Sequence, residues 1–201
     1  MKLLAYATAA TLAFAAPAFA KIATGSNVSD MTVVDSNGVT HNLSDFEGKR
    51  VVLEWTNEGC PYVKKHYNTD NMQALQRDAE ASDTVWLSVI SSAPGKQGYK
   101  TGDEVATWKD KHDVASTAVI LDEKGKMGKA FAARTTPHMY IIDEAQTLVY
   151  QGAIDDNSSA KASTVEGATN YVRQALAEMD AGEAISVSDT QPYGCSVKYA
   201  S

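Results

Sequence analysis

Residues 51–65 read VVLEWTNEGCPYVKK, and this stretch decides the fold. Its first five residues are an apolar run typical of a short buried strand. Proline favours the first turn of a helix, because its missing N–H needs no partner there, so Pro61 predicts that a helix begins beside Cys60. The chain therefore changes from strand to helix at a cysteine.

The position of Cys60 predicts a reactive thiol. At a helix N-terminus the free N–H groups and the helix dipole stabilise a thiolate, and they lower the thiol pKa from about 8.5 into the range of roughly 3.5–7.5. Lys64, Lys65 and His66 add positive charge, whereas Glu58 opposes it. We interpret His66 as an exposed helix residue rather than a base. The balance of these charges favours a thiolate.

The first twenty residues predict a cleaved signal peptide. A short basic start, an apolar run and the small-x-small sequence Ala18-Phe19-Ala20 precede Lys21. The apolar run is too short to span a membrane and is interrupted by Pro17. We therefore expect an exported protein, periplasmic or extracellular, without an integral membrane segment after cleavage. Residues 21–181 then form one domain, and residues 182–201 form a C-terminal tail.

Charge and motifs exclude several classes of function. The formal net charge is −7, and it becomes −8 when the single charge of the first twenty residues, Lys2, is removed. No long basic run is present, which argues against nucleic acid and against anionic lipid as partners. No phosphate loop, paired-carboxylate or serine-nucleophile pattern stands out. We expect no cofactor.

The chain has two cysteines, Cys60 and Cys195, and both survive cleavage. Export allows disulfides to persist. As a structural staple, a bond closing the intervening 135 residues (195 − 60) would contribute roughly 5 kcal/mol in the chain-entropy model. The alternative is a redox pair. The helix-mouth position of Cys60 favours the redox pair, because a staple has no need of that position.

Apolar periodicity and turn residues predict the other elements. Strands alternate with helices and are followed by a hairpin and a last helix, a pattern that specifies an α/β fold with a mixed central sheet flanked by helices. We also expect an N-terminal β-hairpin as an extension of this fold. The predicted strands are 31–34, 39–41, 85–91, 117–121, 139–143 and 148–152, and the predicted helices are 61–79 (interrupted at 68–71), 103–111, 127–133 and 164–179.

Three features together resemble the thioredoxin fold: a strand ending at Trp55, Gly59-Cys60-Pro61 at a helix start, and Thr136-Pro137 ahead of an apolar strand. The redoxin branch is the most similar, and it groups peroxiredoxins (alkyl hydroperoxide reductase and thiol-specific antioxidant proteins) with exported thiol–disulfide oxidoreductases. The resemblance covers residues 26–179 and implies a thioredoxin-like three-layer sandwich. It also implies that Cys60 is the attacking thiol and that Pro137 is a cis proline whose neighbouring backbone faces the sulfur.

This chain departs from the family pattern at two places. Thioredoxins carry a second cysteine three positions after the first, where this chain has Val63. Peroxiredoxins have a threonine three positions before the reactive cysteine and a proline four positions before that, where this chain has Asn57 and Leu53. Thr56 lies one position off and could substitute. The resemblance thus implies a peroxiredoxin-like protein that lacks the peroxide-binding signature.

Thiol–disulfide exchange needs a thiolate to attack and a second thiol to release the mixed disulfide. Within this chain Cys195 is the candidate resolving thiol; otherwise an external thiol resolves. The expected partners are a protein thiol or disulfide, or a peroxide, as substrate, and an external reductant. The residues that we place around the substrate pocket, with the first packing at its floor, are Trp55, Thr56, Gly59, Pro61, Thr136 and His138.

Two other functions stay open. One is a non-catalytic thioredoxin-fold module, disulfide-stapled, that binds a partner. The other is copper handling, because Cys60, His138 and Met139 would form a soft ligand set. Copper-assembly relatives normally supply two cysteines in the first loop, which this chain lacks. We therefore predict no metal site, and a histidine that lines the thiol pocket.

Overall fold

The structure, a computed structural model, describes residues 21–200. The predicted signal peptide lies outside the described residues. No helix among residues 21–200 is both long and apolar enough to cross a bilayer. The strands are β1 (Thr32–Val34), β2 (Thr40–Asn42), β3 (Val51–Trp55), β4 (Val85–Ile90), β5 (Ala118–Leu121), β6 (Thr135–Thr136), β7 (His138–Ile142), β8 (Leu148–Gly152) and β9 (Cys195–Ser196), and the helices are α1 (Pro61–Tyr67), α2 (Asn71–Ala81), α3 (Gly102–His112), α4 (Lys126–Ala130) and α5 (Tyr171–Asp180).

The central sheet has the strand order β5-β4-β3-β7-β8. β3 pairs parallel with β4 and antiparallel with β7, so the predicted mixed sheet is confirmed. All five residues of β3 are buried, as its apolar sequence requires of a strand with neighbours on both sides. In this register Trp55 lies opposite both Val89 and His138.

Alternating residues of β3 point to opposite faces of the sheet and build two apolar layers. Val52 belongs to the cluster on the face that α1, α2, α3 and α5 cover, through residues such as Val63, Met72 and Val172. Leu53 and its alternate neighbours belong to the cluster on the other face, which the N-terminal segment and α4 cover. The sheet therefore lies between two covering layers, which makes three layers in total.

Two helix boundaries test the predictions from turn residues. The predicted interruption after Cys60 is confirmed, since α1 ends at Tyr67 and α2 begins at Asn71 after Asp70 takes a left-handed φ of 59°. The predicted helix 164–179 is wrong in its first seven residues, because α5 begins at Tyr171. Gly167 has a φ of +82°, which no α-helix contains, and Asn170 caps α5 by accepting from the amide of Arg173.

Residues 188–200 cross the molecule in extended form, and we call them the C-terminal strap. The strap first lies beside β8, where the amide of Gln151 donates to Ser188 and the amide of Thr190 donates to Gln151. β9 of the strap then pairs antiparallel with β6. Near its end, the hydroxyl of Tyr199 donates to the carbonyl of Ala133 at 2.8 Å. The strap is thus attached along its length to the main domain.

Candidate active site

Cys60 is the N-cap residue of α1, and Pro61 is the first residue of that helix. The preceding turn is closed by Asn57. Its carbonyl accepts from the amide of Cys60 at 2.9 Å, and its side-chain oxygen accepts from the amide of Gly59 at 2.9 Å. Gln97 covers the turn, since a Cβ on Gly59 would lie 2.9 Å from its side chain. The predicted helix-mouth position of Cys60 is therefore confirmed.

A second loop brings a backbone carbonyl against the sulfur. The Thr136–Pro137 peptide is cis, as the resemblance predicted. The sulfur of Cys60 lies 3.1 Å from the carbonyl oxygen of Thr136, to which its thiol donates. The structure thus joins two predicted site segments that are 76 residues apart.

Cys195 lies beside Cys60 although 135 residues separate them. In β9, Cys195 is the register partner of Thr136, the same residue that accepts from Cys60. The two cysteine side chains are neighbours in the same apolar cluster, and neither is in a disulfide. Burial and the neighbouring Cys60 thiol raise the pKa of the Cys195 thiol to about 11. At neutral pH Cys195 is therefore a protonated thiol beside Cys60.

Cys60 is closed to solvent in this structure, and the strap passes beside it. Cys60 is 0% exposed, whereas Cys195 is partly exposed. Gly194 permits this close approach, because its φ is +135° and a Cβ at this position would lie 2.1 Å from the Thr136 carbonyl oxygen. An outside reagent therefore does not reach Cys60 while the strap is in place.

The structure places two predicted pocket residues on the other face of the sheet. Trp55 packs there against Phe131 and Tyr140, and its indole N–H donates to Ser91 at 3.0 Å. The ring of His138 also packs against Tyr140, with 4.5 Å between ring centroids. Burial lowers the pKa of His138 to about 3, so its imidazole is neutral. Neither contact set includes Cys60.

Of the remaining predicted pocket residues, Thr136 lies beside the Cys60 sulfur and Thr56 lies directly after β3. Thr136 borders Cys60 through its carbonyl, and its hydroxyl is 3.5 Å from the Cys195 carbonyl. Thr56 continues β3, donates its amide to Val89 at 3.0 Å and is 2% exposed. Among residues 21–200 no group of three or more histidine, cysteine, aspartate or glutamate side chains is arranged to hold a metal ion.

The expectation that His66 is exposed is wrong, since His66 is 0% exposed. Its Nε2 lies 3.3 Å from the hydroxyl of Tyr193, and Asn71 contacts its Nδ1 at 2.8 Å. Burial lowers the pKa of His66 to about 4. The neighbouring Lys65 is also buried and pairs with the buried Asp155 at 3.2 Å. The charges of residues 64–66 suggested a solvent-exposed helix face. Residues distant in sequence bury this face.

Glu58 does not act as the free negative charge that the sequence suggested. Its carboxylate accepts from Lys100 at 2.7 Å, from His112 at 3.1 Å and from Lys111 at 3.3 Å. Partial burial opposes ionisation, but the hydrogen bonds from Lys100 and His112 outweigh it and lower the pKa of Glu58 to about 2. The opposing charge beside Cys60 is thus neutralised.

Sequence reasoning missed the buried carboxylate of Glu54, which lies within the apolar run of β3. It accepts hydrogen bonds from the indole of Trp86 at 2.9 Å, the hydroxyls of Tyr67 at 2.9 Å and Ser88 at 3.0 Å, and Gln76 at 3.1 Å. Burial raises the pKa of this carboxyl. The signal in the sequence was a single glutamate in a strand predicted to be buried, because a buried carboxylate needs hydrogen-bond partners. These bonds tie α1 and α2 to the two central strands and fix the helix that carries Cys60.

Comparison with known families gives one match. A family model described as the AhpC/TSA family matches residues 24–151, which is more than half of the 201-residue chain. The matched range includes Cys60 and Pro137 and ends before Cys195. No curated protein matches the sequence.

Solved structures resemble most of the chain. A hypothetical protein of Sinorhizobium meliloti is 18% identical with a TM-score of 0.74, over 90% of this chain and 97% of that one. An uncharacterized conserved protein of Geobacillus kaustophilus is 19% identical with a TM-score of 0.73, over 89% and 93%. The thioredoxin domain of a thiol-disulfide oxidoreductase from Bacteroides vulgatus is 19% identical with a TM-score of 0.50, over 73% and 97%. These likenesses confirm the thioredoxin-like fold.

Proposed function

Because the chain belongs to the AhpC/TSA family, we propose that it is a thiol-based oxidoreductase in which Cys60 is the nucleophile and Cys195 the resolving thiol. The observation that carries this proposal is that Thr136 brings the two cysteines together, since the Cys60 thiol at the N-terminus of α1 donates to the Thr136 carbonyl and Cys195 is the register partner of Thr136. The elevated pKa of the Cys195 thiol supports the division of roles, because only a thiolate attacks efficiently.

With a disulfide as substrate, the Cys60 thiolate attacks one substrate sulfur. The substrate S–S bond breaks, a Cys60 mixed disulfide forms, and the other substrate half leaves as a thiolate that takes up a proton. Cys195 then loses its proton to the second leaving thiolate and attacks the Cys60 sulfur. The products are two substrate thiols and a Cys60–Cys195 disulfide, which an external reductant must reopen.

With a peroxide as substrate, the Cys60 thiolate attacks one peroxide oxygen and breaks the O–O bond. Cys60 becomes a sulfenic acid, and the other oxygen leaves as an alcohol or water after it takes up a proton. The Cys195 thiol condenses with the sulfenic acid, releases water and gives the same disulfide. In both reactions two electrons pass from the pair of thiols to the substrate.

The test treats the reduced chain of residues 21–201 separately with hydrogen peroxide and with a model disulfide, and follows each cysteine by mass spectrometry. We expect Cys60 to be modified first, and the protein then to lose two hydrogen atoms as the disulfide forms. Cys195→Ser should accumulate the mixed disulfide or sulfenic acid on Cys60, and Cys60→Ser should form neither. First modification at Cys195, or at neither cysteine, contradicts the proposal.

One observation favours a second function, a disulfide-stapled module without catalysis. Cys60 is 0% exposed, as expected of a structural cysteine. The pH dependence of Cys60 alkylation separates the two functions. A Cys60 pKa well below that of a free thiol supports the oxidoreductase, and an ordinary or elevated pKa supports the module.

We further propose that the protein is exported. The support is the basic start, the apolar run and the Ala18-Phe19-Ala20 cleavage sequence. Expression of the full chain in a bacterial host, followed by fractionation and mass measurement, tests this. An N-terminus at Lys21 outside the cytoplasm is the expected result, and recovery of the uncleaved chain in the cytoplasm contradicts it.

A further inference from the structure

Tyr193 attaches the strap to the interior of the main domain. Its hydroxyl donates to the Oδ1 oxygen of Asp155. The same hydroxyl lies 3.4 Å from the ammonium of Lys65 and 3.3 Å from Nε2 of His66. One hydroxyl of the strap thus contacts a carboxylate, an ammonium and an imidazole of the domain. We call Lys65, His66 and Asp155 the buried triad.

Contacts outside the strap also hold the buried triad. The side chain of Lys65 is 0% exposed, and its ammonium donates to Asp155 at 3.2 Å and to the carbonyl of Asn157 at 2.8 Å. Asn71 holds the far side of the His66 ring at 2.8 Å. Hydrogen bonds to charged groups are stronger than neutral ones, and a buried site strengthens them further. The triad therefore offers the hydroxyl of Tyr193 a rigid site.

The docking of Tyr193 in this site determines the position of Cys195, because only Gly194 separates Tyr193 from Cys195. Gly194 passes against the Thr136 carbonyl, and Cys195 then pairs with Thr136 and contacts Cys60. Cys60 is completely covered in this arrangement. The attachment that brings the resolving thiol to the nucleophile also closes the nucleophile to outside molecules.

We propose that Tyr193 is a positioning residue, whose docking in the buried triad holds Cys195 on Cys60 and whose release admits an outside substrate. This inference rests on the proposed function, because it assigns the event that precedes attack by Cys60. It requires two opposite effects of the Tyr193 hydroxyl. The hydroxyl speeds closure of the internal disulfide, and it slows every reaction of Cys60 with an external reagent.

The experiment compares three variants of the mature chain, each of which removes one tyrosine hydroxyl. Tyr193→Phe removes the hydroxyl that docks in the triad. Tyr62→Phe is the matched control, since its ring packs edge-on against that of Tyr193 at 5.9 Å while its hydroxyl takes no part in the triad contacts. Tyr199→Phe removes the hydroxyl of the other tyrosine in the strap, which donates to Ala133.

Two quantities are measured for each variant. The first is the rate at which iodoacetamide modifies Cys60, followed by peptide mass spectrometry on the alkaline plateau, where the thiolate fraction no longer changes. The second is the effective concentration of Cys195 toward Cys60, obtained by equilibrating the protein with mixtures of oxidised and reduced glutathione. In that reaction two protein thiols and one glutathione disulfide give the internal disulfide and two glutathione thiols.

For Tyr193→Phe we expect alkylation to rise by about tenfold or more, the scale of losing a hydrogen bond to a charged group, and the effective concentration to fall by a similar factor. Tyr62→Phe should leave both values within about twofold, and Tyr199→Phe should change both far less than Tyr193→Phe. Unchanged values in Tyr193→Phe, or equal changes in Tyr199→Phe, overturn the inference.

Low urea concentrations separate strap release from loss of the fold. Alkylation through local release is almost independent of urea, whereas alkylation through global unfolding rises steeply with it. A steep dependence in Tyr193→Phe assigns the residue to stability alone and overturns the inference. If Cys60 reacts readily with iodoacetamide in Tyr193→Phe but the unsubstituted chain forms no internal disulfide in the glutathione mixtures, the proposed function fails instead.

Discussion

Cys60 and Cys195 touch, yet different forces place them. Cys60 follows a fully buried strand and begins a helix, and the hydrogen bonds that close its turn come from residues 57–60. Cys195 lies in a two-residue strand near the end of the chain, and its place depends on Tyr193 and Gly194 and on contacts with distant residues. A nucleophile built into the core keeps its geometry, whereas a resolving thiol on a strap can approach and leave. The following experiments act on this difference, from the largest effect to the smallest.

The largest effect is expected from Lys65→Met, which leaves the buried carboxylate of Asp155 without its counter-ion. Breaking one partner of a buried ion pair lowers the free energy of unfolding by about 3–5 kcal/mol. Urea denaturation measures this loss. The neighbouring Lys64 is exposed on the same helix, so Lys64→Met is the control, with a change within about 0.5 kcal/mol. Equal effects of the two substitutions would show that the triad does not hold the domain and the strap together.

The second effect is a loss of stability in mild acid through His66. Its pKa is about 4 in the folded protein against 6.5 for a free histidine, so the unfolded chain binds the proton first. The contribution is complete above pH 6.5 and is lost as the pH falls from 6.5 to 4, by an amount on the order of 3 kcal/mol. Urea unfolding at several pH values should show this slope.

In His66→Gln, the free energy of unfolding should depend less steeply on pH between 6.5 and 4. His138, whose pKa of about 3 is also lowered by burial, acts with the same sign and leaves part of the dependence in place. An unchanged slope in His66→Gln would assign the acid sensitivity to the sheet face that holds His138, away from the strap.

The third effect comes from Gly194→Ala, which puts a methyl group 2.1 Å from the Thr136 carbonyl oxygen. Overpacking of this kind lowers the free energy of unfolding by about 1–3 kcal/mol. Here the strap has to move to relieve it. Alkylation of Cys60 should therefore become faster. Gly182→Ala separates the clash from backbone strain, because Gly182 also has a positive φ, of +69°, but has no neighbour within 4 Å of the added carbon. Faster alkylation in both variants would mean that strain alone, rather than the contact with Thr136, loosens the strap.

The smallest effect is expected at the turn that carries Cys60. Glu58→Gln removes the partly exposed charge that contacts Lys100, Lys111 and His112, and it should change the free energy of unfolding by about 1 kcal/mol or less. The lowered pKa of Glu58, about 2, makes its contribution present above pH 4.5 and lost as the pH falls from 4.5 to 2. In Glu58→Gln, the free energy of unfolding, followed by circular dichroism as the pH is lowered, should no longer include this fall between pH 4.5 and 2. A larger effect would show that the turn depends on its surface charges and not on the core.

The turn around Cys60 could be predicted because its determinants are consecutive residues. An apolar run specifies the strand, and a proline one residue after the cysteine specifies where the helix begins. The start of α5 was harder to predict from the sequence, because the helical spacing of apolar residues begins before the helix does. Gly167 and Asn170 exclude those earlier residues from the helix. Local patterns thus located the elements better than their boundaries.

The surroundings of Cys60 could not be predicted in the same way. His66 looked exposed because charged residues surround it in sequence, and it is buried because residues 155 and 193 cover it. Trp55 and His138 looked like pocket residues because they adjoin the site in sequence. They lie on the other face because side chains alternate along a strand, and the register of β3 with β7 pairs these two residues.

By itself, the sequence determined that this chain forms an α/β fold around a strand that gives way to a helix at Cys60. Hydrophobic periodicity and the stereochemistry of proline act over neighbouring residues, so they can be read without coordinates. Only the tertiary structure decided that Cys195 meets Cys60, that Tyr193 docks in the buried triad, and that the strap closes the site. Cys195 is 135 positions from Cys60, and Tyr193 is 38 positions from Asp155, 127 from His66 and 128 from Lys65. Such pairings are set by how the layers pack together, and no local pattern in the chain records them.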